Sequence, residues 1–246
     1  MAKRIRLDVA LVERGLAESR EKAQRAIMAG EVRLADRVLN KSSILVEPEA
    51  ELTIAEPPRF VGRGGQKLEG ALIKFQISAA GATCLDIGAS TGGFSDCLLQ
   101  DGATKVYAID VGHGQLAWKI RNDPRVIVQE SLNARYLTRD DIPEPIDICV
   151  IDVSFISLTL ILPNAFELIT PSGVILALIK PQFELRPEDV GRGGIVVEAA
   201  LHEKAQQKIT DFIAARGHVV AGVVPSPITG MDGNQEFFVC ARKPSA

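Results

Sequence analysis

Four charged residues far apart in the chain, Lys67, Asp152, Lys180 and Glu236, are of the types that move or hold a proton, and three of them stand beside the end of an apolar run. Ile148-Cys149-Val150-Ile151 leads to Asp152, Val174 to Ile179 leads to Lys180 and then Pro181, and Gly233-Asn234-Gln235 delivers Glu236, while Lys67 opens a helical segment. If the apolar runs are strands of an open α/β sheet, their carboxyl ends share one crevice, where such sheets bind ligands. Two lysines and two acids around one point suit methylation of a ribose 2′-hydroxyl. The pKa of that hydroxyl lies far above neutrality, so its proton must be removed or held aside while the oxygen approaches a sulfonium methyl in line. A lysine can serve as base when burial or a second ammonium favours its neutral form, and Asp152 and Glu236 would orient and balance the pair. Taken singly, each of these charges is more often a solvated or structural one. Their common placement at strand ends carries the reading.

The methyl donor has its own signal. Leu85-Asp86-Ile87-Gly88-Ala89-Ser90-Thr91-Gly92-Gly93-Phe94 reads as a strand, a tight glycine turn and the start of a helix. Gly88 and Gly92 let the backbone turn and approach a ligand, and the helix N-terminus offers unpaired N–H groups. Asp86, Gly88, Ala89, Ser90, Gly92, Gly93 and Phe94 are therefore candidate cofactor residues. Tyr107-Ala108-Ile109-Asp110 closes a second strand on an acid that can accept both hydroxyls of a ribose. The loop lacks the G-x-G-x-x-G spacing and carries no basic residue for a pyrophosphate. This disfavours a dinucleotide and favours S-adenosylmethionine. Asn133, after the third strand, is the candidate adenine contact, with the backbone of Ser131 or Leu132 as the alternative.

Composition narrows the remaining classes. The chain has 246 residues, is 46% hydrophobic and carries a net charge of −3, enough for one large core plus a small satellite domain. No secretory signal is visible, and the longest uncharged runs are broken by Pro163, Pro171 and Gly173 before they reach the roughly 20 residues of a membrane span. A cytoplasmic protein without membrane contact is the expectation. Cys84, Cys97, Cys149 and Cys240 are widely spaced, so neither a disulfide framework nor a metal site is expected.

The elements that must position these residues fall into two parts. Residues 1–41 hold ten Lys or Arg against six Asp or Glu, although the whole chain is acidic. Leu7 to Arg14 and Ser19 to Ala29 show helical spacing, with Ser19 as N-cap and Gly15 and Gly30 as stops. Short alternating strands follow up to Pro57-Pro58. The spacing predicts a small α+β domain over 1–58, a linker over 59–66 and an α/β domain over 67–246. In the last, a helix from Leu68 to Phe75 precedes seven strands near 83–87, 104–109, 125–128, 147–152, 174–179, 218–224 and 236–241. Strands alternating with helices predict a mostly parallel sheet covered on both faces, its final strand a candidate for antiparallel pairing. Gly191-Arg192-Gly193-Gly194 reads as a basic loop able to close over substrate or simply turn the chain, and His202 and His218 read as structural.

Arg6-Leu7-Asp8, Gly15-Leu16, Ser19-Arg20, Ala26-Ile27, Gly30, Val32 and Val38 resemble the alpha-L, or S-four-type, RNA-binding domain over residues 5–56. The resemblance implies that Arg6, Arg20, Lys22, Arg25 and Arg33, with Arg37 nearby, face an RNA phosphate backbone. The plain alternative is a solvated helix face. Lys67-Asp152-Lys180-Glu236 looks like the K-D-K-E tetrad of FtsJ-type 2′-O-ribose methyltransferases. The whole chain resembles the TlyA family, whose members carry the name hemolysin but comprise rRNA 2′-O-methyltransferases. The similarity runs through Gly62-Arg63-Gly64-Gly65-Gln66-Lys67-Leu68, Asp110-Val111-Gly112, Ile179-Lys180-Pro181-Gln182-Phe183-Glu184 and Gly233-Asn234-Gln235-Glu236-Phe237. It implies a Rossmann-like methyltransferase fold, S-adenosylmethionine as donor, a cytidine ribose of rRNA in a bacterial ribosomal subunit as acceptor, and no metal. It also implies that Arg59-Phe60-Val61 couples RNA docking to cofactor binding, where the residues alone suggest a spacer. His113 and Ser95 depart from the family's usual Tyr and Thr without touching the tetrad. Two readings of other classes remain: a membrane-active hemolysin, which needs an exported, spanning or amphipathic segment, and a noncatalytic RNA-binding protein, which has no need of the tetrad.

Overall fold

The computed structural model describes residues 4–55 and 58–244. Its contacts divide the chain into two compact units, one up to Arg59 and one from Phe60 onward.

The first unit is built on two short helices, α1 (Leu7–Glu13) and α2 (Arg20–Met28). Ser19 caps α2 by accepting the Lys22 amide at 3.2 Å, which answers one of the helix's unpaired N–H groups. Five short strands surround them: β1 (Ile5–Arg6), β2 (Val32–Leu34), β3 (Arg37–Val38), β4 (Leu45–Val46) and β5 (Leu52–Ile54). They form a β1–β4 pair and a β3–β2–β5 sheet, antiparallel throughout. Leu7, Leu11, Ala23, Ile27, Val32, Leu39 and Val46 fill its core.

The second unit is a seven-stranded sheet with helices on both faces. It runs α3 (Gly64–Phe75), β6 (Thr83–Ile87), α4 (Gly93–Gln100), β7 (Lys105–Asp110), α5 (Trp118–Arg121), β8 (Val126–Glu130) and β9 (Ile146–Ile151). Then follow α6 (Leu162–Leu168), β10 (Ile169–Ile179), α7 (Pro181–Glu184), α8 (Ala199–Ala214), β11 (Val219–Pro225) and β12 (Phe237–Arg242). The strand order is β11-β12-β10-β9-β6-β7-β8. β12 alone runs antiparallel to the other six strands. The central strands read as unbroken apolar runs because both faces are covered. In β9, Ile148 and Val150 join the core shared with α3 and α4, whereas Cys149 and Ile151 join the core shared with α6 and α8, the period of two expected of a strand.

Helix α3 begins at Gly64, so the end of the expected linker is helical. Phe60 is 4% exposed within the α3–α4 core. All four cysteines are buried and free. No helix among the described residues is long and apolar enough to cross a membrane.

Candidate active site

The carboxyl ends of β6, β7 and β9 meet at the glycine loop. Gly88 has φ +87°, and a Cβ there would lie 2.2 Å from the Asp152 carbonyl oxygen, so the loop after β6 can cross the end of β9 only without a side chain. The crossing is pinned by backbone bonds: Gly88 and Ala89 donate to the Ile109 carbonyl at 2.8 and 3.0 Å, and Asp152 donates to that of Ile87 at 2.9 Å. The Asp110 carboxylate accepts the Ser90 and Gly112 amides, each at 2.7 Å, which fixes its orientation. It faces a cavity of about 450 Å³ that Gly88, Ser90, Leu132, Asn133 and Asp152 also line. Asn133 caps the following turn by accepting the Arg135 amide at 3.0 Å.

A second cavity of about 470 Å³ shares Gly88, Ser90 and Asp152 with the first and is lined by Ala89, Phe94, Lys67, Lys180 and Glu236. The four separated charges thus come together as two ion pairs. Lys67 Nζ lies 2.6 Å from Glu236 Oε2, and both side chains are at most one-tenth exposed. Lys180 Nζ lies 2.7 Å from Asp152 Oδ1 and donates to Ser154 Oγ at 2.8 Å. Lys67 is the fourth residue of α3, Glu236 precedes β12, Asp152 follows β9 and Lys180 follows β10.

The remaining loop residues build this site without lining it. Asp86 is fully buried and accepts Ser95 Oγ at 2.6 Å, tying β6 to α4. Burial pushes its carboxyl up to about 7; the Ser95 hydrogen bond opposes the shift and the charge of Asp152 adds to it. Gly92 is the N-cap residue of α4, and Gly93 packs against the first residues of α3.

Several cavity residues carried no signal in the sequence. Ser154 and Phe155 follow Asp152, and Phe155 is 90% exposed with φ +63°. Its ring meets that of Phe183 at 5.0 Å. Met231 also lines the tetrad cavity, as does Gln182, which falls within the Ile179–Glu184 stretch of family similarity. The usable hint was position alone, since each lies within a few residues of a strand's carboxyl end.

In the first unit the basic residues divide into two groups. Asp8, fully buried, accepts Arg6 at 3.0 and 3.1 Å, Arg20 at 2.9 Å and Gln24 at 2.8 Å. The Arg6 hydrogen bond, with those of Gln24 and Arg20, holds the Asp8 carboxyl well below the ordinary range against the opposing effect of burial. Arg6 and Arg20 are therefore partly committed inside the unit, and Lys22 pairs with Glu18. Arg25 and Arg33 are exposed and have no ion pair among the described residues.

The cleft suits S-adenosylmethionine. It offers an oriented acid for a ribose, a bare glycine backbone for close approach and, around Asp110, no lysine or arginine that would answer a phosphate. Comparison with known proteins agrees. Residues 60–243 match the model of the FtsJ-like methyltransferase family, and residues 5–52 match that of the S4 domain. The chain is 44% identical over 244 residues to the 16S/23S rRNA (cytidine-2′-O)-methyltransferase TlyA of Mycobacterium tuberculosis, covering 98% of this chain and 91% of that protein. It is 50% identical over 240 residues to Bacillus subtilis YqxC, provisionally named an rRNA methyltransferase, covering 97% and 85%. A solved Streptococcus thermophilus protein provisionally named a hemolysin superposes with a TM-score of 0.75 at 43% identity, over 100% of this chain and 90% of that one.

Proposed function

The chain belongs to the TlyA family of FtsJ-like methyltransferases, and from that premise we propose that Lys67, Asp152, Lys180 and Glu236 methylate the 2′-hydroxyl of an rRNA cytidine within a bacterial ribosomal subunit. The observation that carries the reading is the pair of lysine–carboxylate contacts on the wall of a cleft continuous with the Asp110 cavity. S-adenosylmethionine, when bound, supplies a methyl carbon on a sulfonium that leaves as a neutral thioether. Asp110 and Asn133 would hold its nucleoside, and the backbone of residues 88–90 would border its reactive end.

Lys180 Nζ acts as base once it has passed one of its own protons to Asp152 or to water; it then takes the hydroxyl proton, and the 2′-oxygen presents a free lone pair. Asp152 and Ser154 aim the amine from two sides. Lys67, locked against Glu236, adds a fixed positive group that favours charge developing on the oxygen. Arg25 and Arg33 of the S4 domain would contact phosphates. Arg6, Arg20 and Lys22 would do so with whatever donor capacity their internal partners leave. A ribosomal substrate puts the work in the cytoplasm.

The test is a map of ribose methylation in rRNA from cells lacking the protein and cells expressing it. A cytidine mark that appears with the wild type and is absent with Lys180→Ala is the expected result. The same map with and without the wild-type protein would overturn the reading.

A further inference from the structure

The Lys180 amine is aimed by Asp152 and Ser154, and Ser154 belongs to an exposed loop that includes an unfavourable conformation. Phe155 has φ +63°, a region that costs a bulky side chain energy and persists only where the surroundings impose it. One end of this loop is fixed by β9. The other end is fixed by a side chain from the element that follows Lys180.

Glu184 is the last residue of α7, one short helix after Lys180, and is 5% exposed. Its Oε1 accepts the Leu158 amide at 2.7 Å, and its Oε2 accepts Ser157 Oγ at 2.5 Å and Lys208 Nζ at 2.9 Å. Lys208, on α8, also donates to the Glu184 carbonyl at 2.6 Å. Ser157 Oγ in turn lies 2.9 Å from Thr159 Oγ1. Lys208 is 42% exposed against 2% for Glu184, and a half-exposed ion pair adds little stability, so stability alone gives weak reason for a carboxylate here. What a carboxylate does, and an aliphatic side chain cannot, is hold a loop N–H and a loop hydroxyl at once.

We propose that Glu184 is a positioning residue for methyl transfer: it clasps the Asp152–Leu158 loop to the Lys180–Glu184 turn, so that Ser154 and Asp152 meet the lysine amine in register. This rests on the catalytic reading of Lys180 given above. Glu184 itself touches neither Lys180 nor the reacting atoms.

Single-turnover methylation of ribosomal subunits by the full-length protein tests it, with cofactor and RNA affinities measured alongside. Glu184→Ala should slow transfer by about 100-fold, the scale of a small misplacement of a reacting group. Both affinities should stay within about twofold, because the loss is felt in the transition state. Glu184→Gln, which keeps an acceptor for Leu158 but sets two donors against each other at Lys208, should fall between. Ser157→Ala, a milder change with little risk to folding, should lower the rate in the same sense. Ile209→Ala removes a buried side chain from α8 and is the stability-matched control. It should lower the unfolding midpoint and leave the transfer rate near wild type.

A Glu184→Ala or Ser157→Ala protein that transfers methyl at the wild-type rate overturns the proposal. So does a rate loss that Ile209→Ala reproduces at equal stability. Failure of the parent reading looks different, since Lys180→Ala would then remain active whatever Glu184 does.

Discussion

Lys67 and Lys180 each face a carboxylate, yet the two pairs are built differently. Lys67 and Glu236 are 10% and 3% exposed, whereas Asp152 is 21% exposed and Lys180 has Ser154 as a second, cleft-facing partner. Lys67→Met should therefore cost both activity and stability, about 3–5 kcal/mol in chemical denaturation, because it strands Glu236 as a buried charge. Lys180→Ala should abolish transfer with a much smaller shift of the unfolding midpoint. Asp86 supports a prediction of another kind. Its carboxyl is near 3.8 in the unfolded chain and about 7 when folded, so between pH 4 and 7 the folded state binds the extra proton. This contribution to stability is complete below pH 4 and is lost as pH rises through 7. Asp86→Asn should flatten that part of a stability-versus-pH curve, and an unchanged slope would show that the carboxyl titrates normally. Residue types and strand-end positions were enough to find the four charges in the sequence. Which lysine takes which acid was not legible, because that depends on the sheet order and on α3 lying over one face.

At the scale of elements, six of the seven strands of the second unit were readable to within two residues, since strands covered on both faces leave apolar runs, whereas β10 begins at Ile169, five residues before the expected start, because Pro171 and Gly173 interrupt its run. The start of α3 was not readable. Residues 62–65 contain three glycines and look like a linker, but Phe60 packs where a Cβ on Gly65 would come within 2.2 Å, and that burial overrides weak helix propensity. The 153–157 loop left no trace either, as it has no periodicity and owes its shape to partners in α7 and α8. The passage of the loop after β6 over the end of β9 makes the sharpest prediction here. Gly88→Ala places a methyl group against the Asp152 carbonyl in a left-handed conformation, so cofactor binding by calorimetry should be lost along with stability. Ser19→Ala, which removes the cap of α2, should cost about 1 kcal/mol and leave cofactor affinity intact.

For the whole molecule, charge is unevenly shared. Residues 1–41 carry a net charge of +4, but Glu47, Glu49, Glu51 and Glu56 bring the unit up to Arg59 to only +1 against −4 for the unit from Phe60 onward, so electrostatic attraction for RNA is confined to a local patch on the first helices and strands. If Arg25 and Arg33 meet phosphates, the Arg25→Gln, Arg33→Gln protein should show a salt dependence of RNA binding shallower by about two in log–log slope. Cofactor affinity should be unaltered. A slope equal to wild type would move the docking surface elsewhere. The order of strands in the sheet has a consequence in time. β12 comes last along the chain among the described strands yet sits between β10 and β11, and Glu236 immediately precedes it. While the protein is being made, β11 has no strand to join, β10 keeps an open edge, and Lys67 lacks its acid until this segment leaves the exit tunnel. An unfinished chain therefore holds only part of the charged cluster, and the site is completed when the last described strand joins the sheet.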